Sequence, residues 1–439
     1  MADIALPQPY AEHISLLRKA VDEALARTGF DGLLIHAGTP RTYYEDDQEI
    51  PFRSNPSFAH FLPLSGPHHL LYLAAGKRPL LIQVEPEDYW YEHTDVGDTF
   101  WKEEYEIRET STPEDAWKTL HFVGRIAYIG DNPQEAYAHG IEKDAVNPDG
   151  VLSHLYWRRS FKTPYEILCI DEANHIASHG HERARDAFFA GASELEIHEA
   201  YLEQLGIIES KLPYGTIVAL NEKSAILHYQ NKRLIEDGKV LLLDAGASYM
   251  GYASDITRTF LAEDCDVLFA GLVGGVDTLQ RELCDVVKPG IPFPTLHHAA
   301  HVKIGDLLHS LDIIHVGGEE AVKEGLTRIF FPHGLGHFLG IQVHDVGGNQ
   351  KGPEGDIVLP PSEHPKLRLT RTAAEGNVFT VEPGIYFIPI LLKKIRTDAK
   401  KDLLNWNLID RLAPLGGVRI EDNIAVTKEG NENLTRRYI

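Results

Sequence analysis

In the C-terminal half of the chain, apolar runs that read as buried strands each carry a carboxylate. Asp244 follows Val240-Leu241-Leu242-Leu243, Glu382 follows Phe379-Thr380-Val381, and Glu421 stands inside Arg419–Val426. Asp255 lies eleven residues after Asp244, within the strand-like stretch Tyr252–Phe260. An unpaired ionised carboxylate in an apolar interior is strongly unfavourable, so each of these acids needs a cation. Close in sequence, only Arg258, Arg371 and Arg419 offer one. Side chains alternate along a strand, so Arg419 and Glu421 are expected on one side and Ile420 on the other. Two solutions remain: separate ion pairs, or convergence of the acids on shared metal cations.

The segment FPHGLGHFLGIQVHD adds His333, His337 and His344. The four-residue spacing of His333 and His337 is that of a zinc-protease helix. Gly334, however, occupies the position of that motif's general base, and Gly334 and Gly336 disfavour a helix. A loop or strand entrance is expected instead, with the glycines letting the backbone approach a ligand closely. Four carboxylates with one or two imidazoles and no thiolate suit two divalent ions that share oxygen ligands. Hard oxygen donors favour Mn²⁺ over Co²⁺ or Zn²⁺.

The 439 residues carry 42 Lys+Arg against 65 Asp+Glu, a formal charge of −23. That balance disfavours nucleic acid and anionic membranes, both of which need basic surface. Cys169, Cys265 and Cys284 are odd in number and widely spaced, which fits reduced thiols and a cytosolic location. The N-terminal MADIALPQPYAEH has no basic-then-apolar leader, and no apolar run approaches the ~20 residues of a membrane span. No Gly-x-Ser-x-Gly elbow or Walker loop occurs.

Helix and strand signals alternate in the first 155 residues, which predicts an α/β domain. Ile14, Leu17, Val21 and Leu25 share a helical face, and Gly29 is a stop. Strands are expected at Leu33–Gly38, Leu70–Ala74, Leu80–Val84 and Ile126–Ile129. The polar stretch RRSFKTP marks a boundary, giving domains 1–158 and 159–439. Beyond it the pattern predicts helices over Pro164–Ala190, Ser193–Leu205 (opened by a Ser193/Glu196 capping box), Val267–Val287 and Thr295–Leu311. Strands are expected at Thr216–Leu220, Val240–Asp244, Tyr252–Phe260, Phe379–Glu382 and Arg419–Val426, with Lys351–Pro365 as an irregular loop. His297, His298 and His301 lie on a predicted helix without an acid beside them and are expected on a solvated face. His68 and His69 are expected at the surface.

The four acid- and histidine-bearing segments, LLLDAGASYMGYASDITRTF, FPHGLGHFLGIQVHD, FTVEPGIYF and GVRIEDNIAV, occur in an informative order. In that order they resemble the creatinase/aminopeptidase family of pita-bread metalloenzymes. Within it the chain resembles the bacterial Xaa-Pro dipeptidase (prolidase) branch, organophosphorus acid anhydrolases included. The resemblance spans nearly the whole chain. It implies an α+β fold, with a C-terminal pita-bread catalytic domain and a smaller N-terminal α/β domain.

The same resemblance implies two divalent ions per subunit. Asp244 would be the terminal ligand of one ion, Asp255 and Glu421 would bridge both, and His337 and Glu382 would complete the other. Creatinases lack these ligands. The implied reaction is hydrolysis of the peptide bond before a C-terminal proline, with organophosphorus esters as promiscuous substrates. The alternative is an aminopeptidase acting on longer Xaa-Pro peptides, and a third reading is a non-catalytic binding module of the same fold.

By resemblance, His344 and His228 are oxyanion donors or proton shuttles, Glu382 carries a proton to the leaving amine, and Arg419 orients the ligand carboxylates. Arg368 matches the arginine that binds the proline carboxylate. His333 lines the proline pocket, with Tyr214 and Val343 beside it. Asp47, in EDDQE, matches an acid that reaches the pocket from a second subunit, so a homodimer is expected. Phe293 stands where relatives tend to carry a tyrosine near the leaving group.

Overall fold

Pro7 fixes a helical φ at the start of the first helix, Pro7–Thr28. Gly29 ends it in the left-handed region, at φ 74°, with its N–H on the Leu25 carbonyl. A computed structural model describes residues 6–87, 89, 99–236 and 238–439. The chain divides into two units. One is Met1–Arg159 with Thr163–Glu166 and Lys351–Ile357; the other is Ser160–Lys162, Ile167–Gln350 and Val358–Ile439.

The first unit is α/β. Its strands are β1 (Gly32–His36), β2 (Leu70–Ala74), β3 (Leu80–Val84), β4 (Glu106–Thr110) and β5 (Ile126–Ile129). They form one sheet in the order β4-β3-β2-β1-β5. β1–β2 and β2–β3 are antiparallel, while β1–β5 and β3–β4 are parallel. Every residue of β1 is buried, as its continuous apolar run requires at a sheet centre. His69 departs from its surface expectation: it is 2% exposed, and its Nδ1 accepts the Val84 N–H at 3.1 Å. The apolar strand it precedes carries it inward.

The second unit is α+β. Ser193 Oγ accepts the Glu196 N–H and Glu196 Oε2 accepts the Ser193 N–H, so the capping box forms and opens helix Glu194–Leu205. The other long helices are Pro164–Phe189, Val267–Asp285 and Phe293–Ser310. The strands are β6 (Ile217–Leu220), β7 (Val240–Asp244), β8 (Ser248–Tyr249), β9 (Tyr252–Ala253), β10 (Thr257–Leu261), β11 (Val378–Val381), β12 (Gly384–Tyr386), β13 (Gly417–Arg419), β14 (Asp422–Val426) and β15 (Asn431–Asn433). They form antiparallel sheets β10-β7-β6 and β11-β14-β15 and the pairs β12-β13 and β8-β9. Lys351–Pro365 contains no helix or strand.

Alternation along β7 separates two faces. Leu241 and Leu243 pack with Phe188, Ile197 and Tyr201, whereas Leu242 packs with Tyr386. Asp244 continues the Leu242 face and so points toward β12 and β13. One extensive core joins helix residues Leu272, Val276, Leu283 and Ile304 to Phe379, Val381, Val418 and Ile424 on the strands. Each fully buried aliphatic or aromatic side chain there contributes ~1.5–3 kcal/mol.

Two expected strands are each interrupted. Tyr252–Phe260 breaks after Ala253 and resumes at Thr257, and Arg419–Val426 breaks after Arg419 and resumes at Asp422. Asp255 and Glu421 stand in these gaps.

Candidate metal centre

Asp244, at the end of β7, pairs in register with Thr257 of β10. Thr257 in turn forms an isolated bridge with Glu421, whose N–H donates to the Thr257 carbonyl at 3.1 Å. The backbone at Asp255 is clamped by the Asn423 amide, which accepts the Asp255 N–H at 3.1 Å and donates to the Asp255 carbonyl. Glu382 follows β11 and donates its N–H to the Leu335 carbonyl at 2.9 Å. His337 accepts the Thr380 N–H at its carbonyl (3.0 Å) and donates its own N–H to Thr380 Oγ1 (3.2 Å). A Cβ on Gly336 would lie 2.0 Å from the Thr380 carbonyl oxygen, and one on Gly334 would lie 3.0 Å from Leu367 Cα. These glycines therefore admit neighbouring backbone, rather than a ligand as expected from the sequence.

The five residues converge. His337 Nε2 lies 3.4 Å from Asp255 Oδ2 and 3.7 Å from Glu382 Oε1. Asp255, His337 and Glu421 each offer a ligand atom within 4.8 Å of the other two. His337 Nδ1 lies 3.0 Å from the Phe338 carbonyl and so carries the proton, which leaves the Nε2 lone pair facing two carboxylates. Burial lowers the His337 pKa, and Glu382 opposes that.

Asp255, Glu382 and Glu421 are held well above the usual carboxylate range. Burial is the main cause for each, followed by Asp244 for Asp255, Glu421 for Glu382, and Asp255 for Glu421. Asp244 Oδ1 is buried with no hydrogen-bond partner. An unsatisfied carboxylate oxygen and a bare imidazole lone pair among crowded acids are what a divalent cation site requires, so the donor set fits metal.

One guanidinium serves the group. Arg419 donates from Nη2 to Asp244 Oδ2 (2.6 Å), from Nε to Thr257 Oγ1 (3.0 Å) and from Nη1 to the Tyr386 hydroxyl (2.9 Å). Thr257 Oγ1 accepts there and donates to Glu421 Oε2 at 2.6 Å. Burial opposes the Arg419 charge, but Tyr386, Asp244 and the other acids hold it more firmly than usual. The other two expected arginines are engaged elsewhere. Arg258 pairs with Asp422 at 2.8 Å, and Arg371 bonds Ser160 and the Gly347 carbonyl.

Proton directions beyond Arg419 follow from donor chemistry. Arg419 can only donate, so the Tyr386 hydroxyl donates onward to His333 Nε2 at 2.9 Å, and His333 Nδ1–H donates to the Gly334 carbonyl at 2.9 Å. Burial and then Arg419 push the His333 pKa down to about 3, consistent with that neutral tautomer.

Sequence reasoning missed Thr257, Asn423 and Tyr386. Thr257 and Asn423 stand two residues beyond Asp255 and Glu421, an alternation signal that could have found them. Tyr386 carries no such signal.

The remaining predicted residues take varied positions. The Tyr214 hydroxyl is turned toward Asp255 without a well-formed hydrogen bond; burial and then Asp244, Asp255 and Glu421 raise its pKa well above the usual tyrosine value. His344 is exposed, with its ring edge-on to His337 at 4.4 Å; crowding of the ring, then His337 and Arg368, lower its pKa. Val343 is half-buried, and Arg368 is exposed. His228 is exposed and lines a cleft of about 590 Å³ with Lys223, Ile226, Gln230 and Arg233. Asp47, in the first unit, is exposed. Phe293 is 1% exposed and edge-on to Phe379, so it belongs to the core.

Residues 168–428, which hold all five converging side chains, match the model of metallopeptidase family M24. The chain belongs to metallopeptidase family M24. As a member it is a metal-dependent hydrolase. Residues 8–157 match the model described as Xaa-Pro dipeptidase, N-terminal domain. An Xaa-Pro dipeptidase of Pseudoalteromonas atlantica is 41% identical over 437 residues, covering 98% of each chain. One from Shewanella amazonensis is 42% identical over 431 residues, covering 97% of each.

Among solved structures, aminopeptidase P from Escherichia coli with the inhibitor Pro-Leu has a TM-score of 0.75 at 24% identity, covering 98% of this chain and 95% of its own. The zinc-substituted form of that enzyme in complex with product has a TM-score of 0.74 at 25% identity, covering 98% of this chain and 96% of its own. The M24 protein thus has the pita-bread fold expected from its sequence. No helix among the described residues is long and apolar enough to cross a membrane.

Proposed function

We propose that this M24 protein is an Xaa-Pro dipeptidase that cleaves the peptide bond before a C-terminal proline at a dinuclear metal site. The observation that carries the reading is four acids, Asp244, Asp255, Glu382 and Glu421, gathered around one guanidinium, with the pKa of Asp255, Glu382 and Glu421 raised by burial and mutual repulsion. Asp244, Asp255, His337, Glu382 and Glu421 would hold two divalent ions, Mn²⁺ by preference because the donors are mostly carboxylate oxygens. Two such ions bring water into the hydroxide range near neutral pH and polarise a carbonyl. The two relatives above, named as Xaa-Pro dipeptidases along their full length, support this substrate class.

The protein's own groups do the rest. Arg419 fixes Asp244 directly and Glu421 through the Thr257 hydroxyl. His344, neutral near pH 7, donates to the oxygen on which negative charge develops, with His228 as a second donor. Glu382 carries the proton to the leaving proline nitrogen. Arg368 grips the free proline carboxylate in a bidentate fork, which selects dipeptides. His333, Tyr214 and Val343 line the proline pocket. Asp47 of a second copy meets the substrate amino group in a homodimer. Tetrahedral organophosphorus esters resemble the charge distribution of the peptide transition state and are promiscuous substrates. None of Cys169, Cys265 and Cys284 forms a disulfide, which agrees with a cytosolic location.

The test is hydrolysis of Gly-Pro and Leu-Pro by chelator-treated protein with and without added Mn²⁺. Absence of metal-dependent cleavage would overturn the reading. Preference for a peptide extended beyond proline would instead favour the aminopeptidase alternative and remove the role given to Arg368.

A further inference from the structure

Helix Phe293–Ser310 carries His297 and His301 four residues apart, and both are buried, at 1% and 0% exposure. The solvated helix face expected for them is therefore wrong; of that trio only His298 is exposed. His364, from the irregular segment far along the chain, completes a cluster. Ring centroids are 4.7 Å apart for His297–His301, 4.4 Å for His297–His364 and 4.5 Å for His301–His364. One nitrogen from each ring lies within 4.8 Å of the other two.

Hydrogen bonding does not account for this packing. His301 Nδ1 meets Thr327 Oγ1 at 2.9 Å, but His301 Nε2 and both nitrogens of His297 are buried without a partner. A second buried imidazole cluster behaves differently. His13 meets Thr163 Oγ1 and the His60 carbonyl, each at 2.9 Å, and His60 Nε2 meets Glu166 at 3.1 Å. That cluster is a satisfied structural network. Burial, then the neighbouring imidazoles, lower the pKa of His297 to about 2 and of His301 to about 3. Burial and then Arg328 lower that of His364. All three rings are neutral near pH 7, with lone pairs free.

We propose that His297, His301 and His364 form a further metal site, separate from the carboxylate centre, that takes one borderline divalent ion of the Zn²⁺ class. Three neutral imidazoles suit Zn²⁺, Ni²⁺ or Cu²⁺ and leave a fourth tetrahedral position open to water or an anion. With no carboxylate among its ligands, the site discriminates against Mn²⁺, so the two centres sort metals by hardness. Arg328 opposes a cation beside His364, and Glu363 favours one.

The test is equilibrium dialysis of the full chain against Zn²⁺, with bound zinc counted by mass spectrometry. Wild type should hold one equivalent more than His364→Ala, and His298→Ala should keep that equivalent. The difference should persist in an Asp255→Asn background, where zinc should also raise the Tm and His364→Ala should abolish the rise. His297→Gln serves as a second variant if His364→Ala does not fold. Equal zinc in wild type and in whichever of His364→Ala and His297→Gln folds overturns the inference. Because the readout is bound zinc rather than turnover, the result is independent of the dipeptidase reading.

Discussion

Glu421 and Asp422 are neighbours in sequence, and both are buried, at 2% and 0% exposure, yet their surroundings are opposite. Asp422 accepts from Arg258 (2.8 Å), Arg436 (2.7 Å) and Asn433 (2.8 Å). Burial works against its charge, but Arg258 and Arg436 prevail and hold its pKa below the ordinary value. For Glu421, burial and then Asp255 and Asp244 raise the pKa, and the Thr257 hydroxyl and a share of Arg419 do not offset them. Burial alone therefore does not separate a structural acid from a ligand acid; the supply of protein cations does. Arg258 also donates to the Thr257 and Glu421 carbonyls, so the paired region braces the backbone of the unpaired one.

The largest effect expected from breaking this contrast is on turnover. Asp255→Asn should abolish Leu-Pro hydrolysis while circular dichroism shows the fold intact, since it removes charge from the unpaired group only. Retained full activity would contradict a ligand role. Asp422→Asn should do the reverse. It strands two guanidinium groups and should lower unfolding free energy by about 3–5 kcal/mol in urea titrations, with metal per folded chain unchanged. Arg419→Lys should lower metal affinity about 10–100-fold in chelator competition, because an ammonium cannot reach Asp244, Thr257 and Tyr386 together. Tyr386→Phe should destabilise by about 1–3 kcal/mol in the same urea titrations, leaving Arg419 Nη1 and His333 Nε2 without a partner.

The subtlest distinction is in pH. Asp255, Glu382 and Glu421 bind protons more tightly folded than unfolded when metal is removed. Chelated protein should therefore lose stability as pH rises above the ordinary carboxylate range, about 4. Asp422 contributes with the opposite sign: its stabilisation is present above that range and is lost as pH falls. The Tm gain from Mn²⁺ should grow as pH rises above the ordinary carboxylate range, about 4, because the metal displaces the protons these acids would otherwise keep. Parallel pH curves with and without metal would count against the raised carboxylates.

Much of this was legible in the sequence. Val240–Asp244, Leu70–Ala74, Leu80–Val84 and Ile126–Ile129 have the bounds their apolar runs predict, because continuous apolar content sets a buried strand directly. The gaps at Asp255 and Glu421 were not legible, because β-favouring residues flank both positions and the breaks depend on long-range contacts, Asn423 with the Asp255 backbone and Thr257 with the Glu421 backbone. The burial of His297 and His301 was hidden for a similar reason. Their helix looks half polar until His364 arrives from a distant loop to cover it. The Tyr386 link to Arg419 depends on the pairing of β12 with β13, which no local pattern announces.

The adjacency of Glu421 and Asp422 also bears on how such a chain can change length. A strand that slips by one residue exchanges its faces. Inserting or deleting one residue between β13 and β14 would deliver Asp422 to the unpaired acids and Glu421 to the arginines, so binding and folding would fail together. Length variation in engineered libraries should therefore be tolerated in the exposed stretch at residues 356–359, ahead of His364, and rejected at this junction.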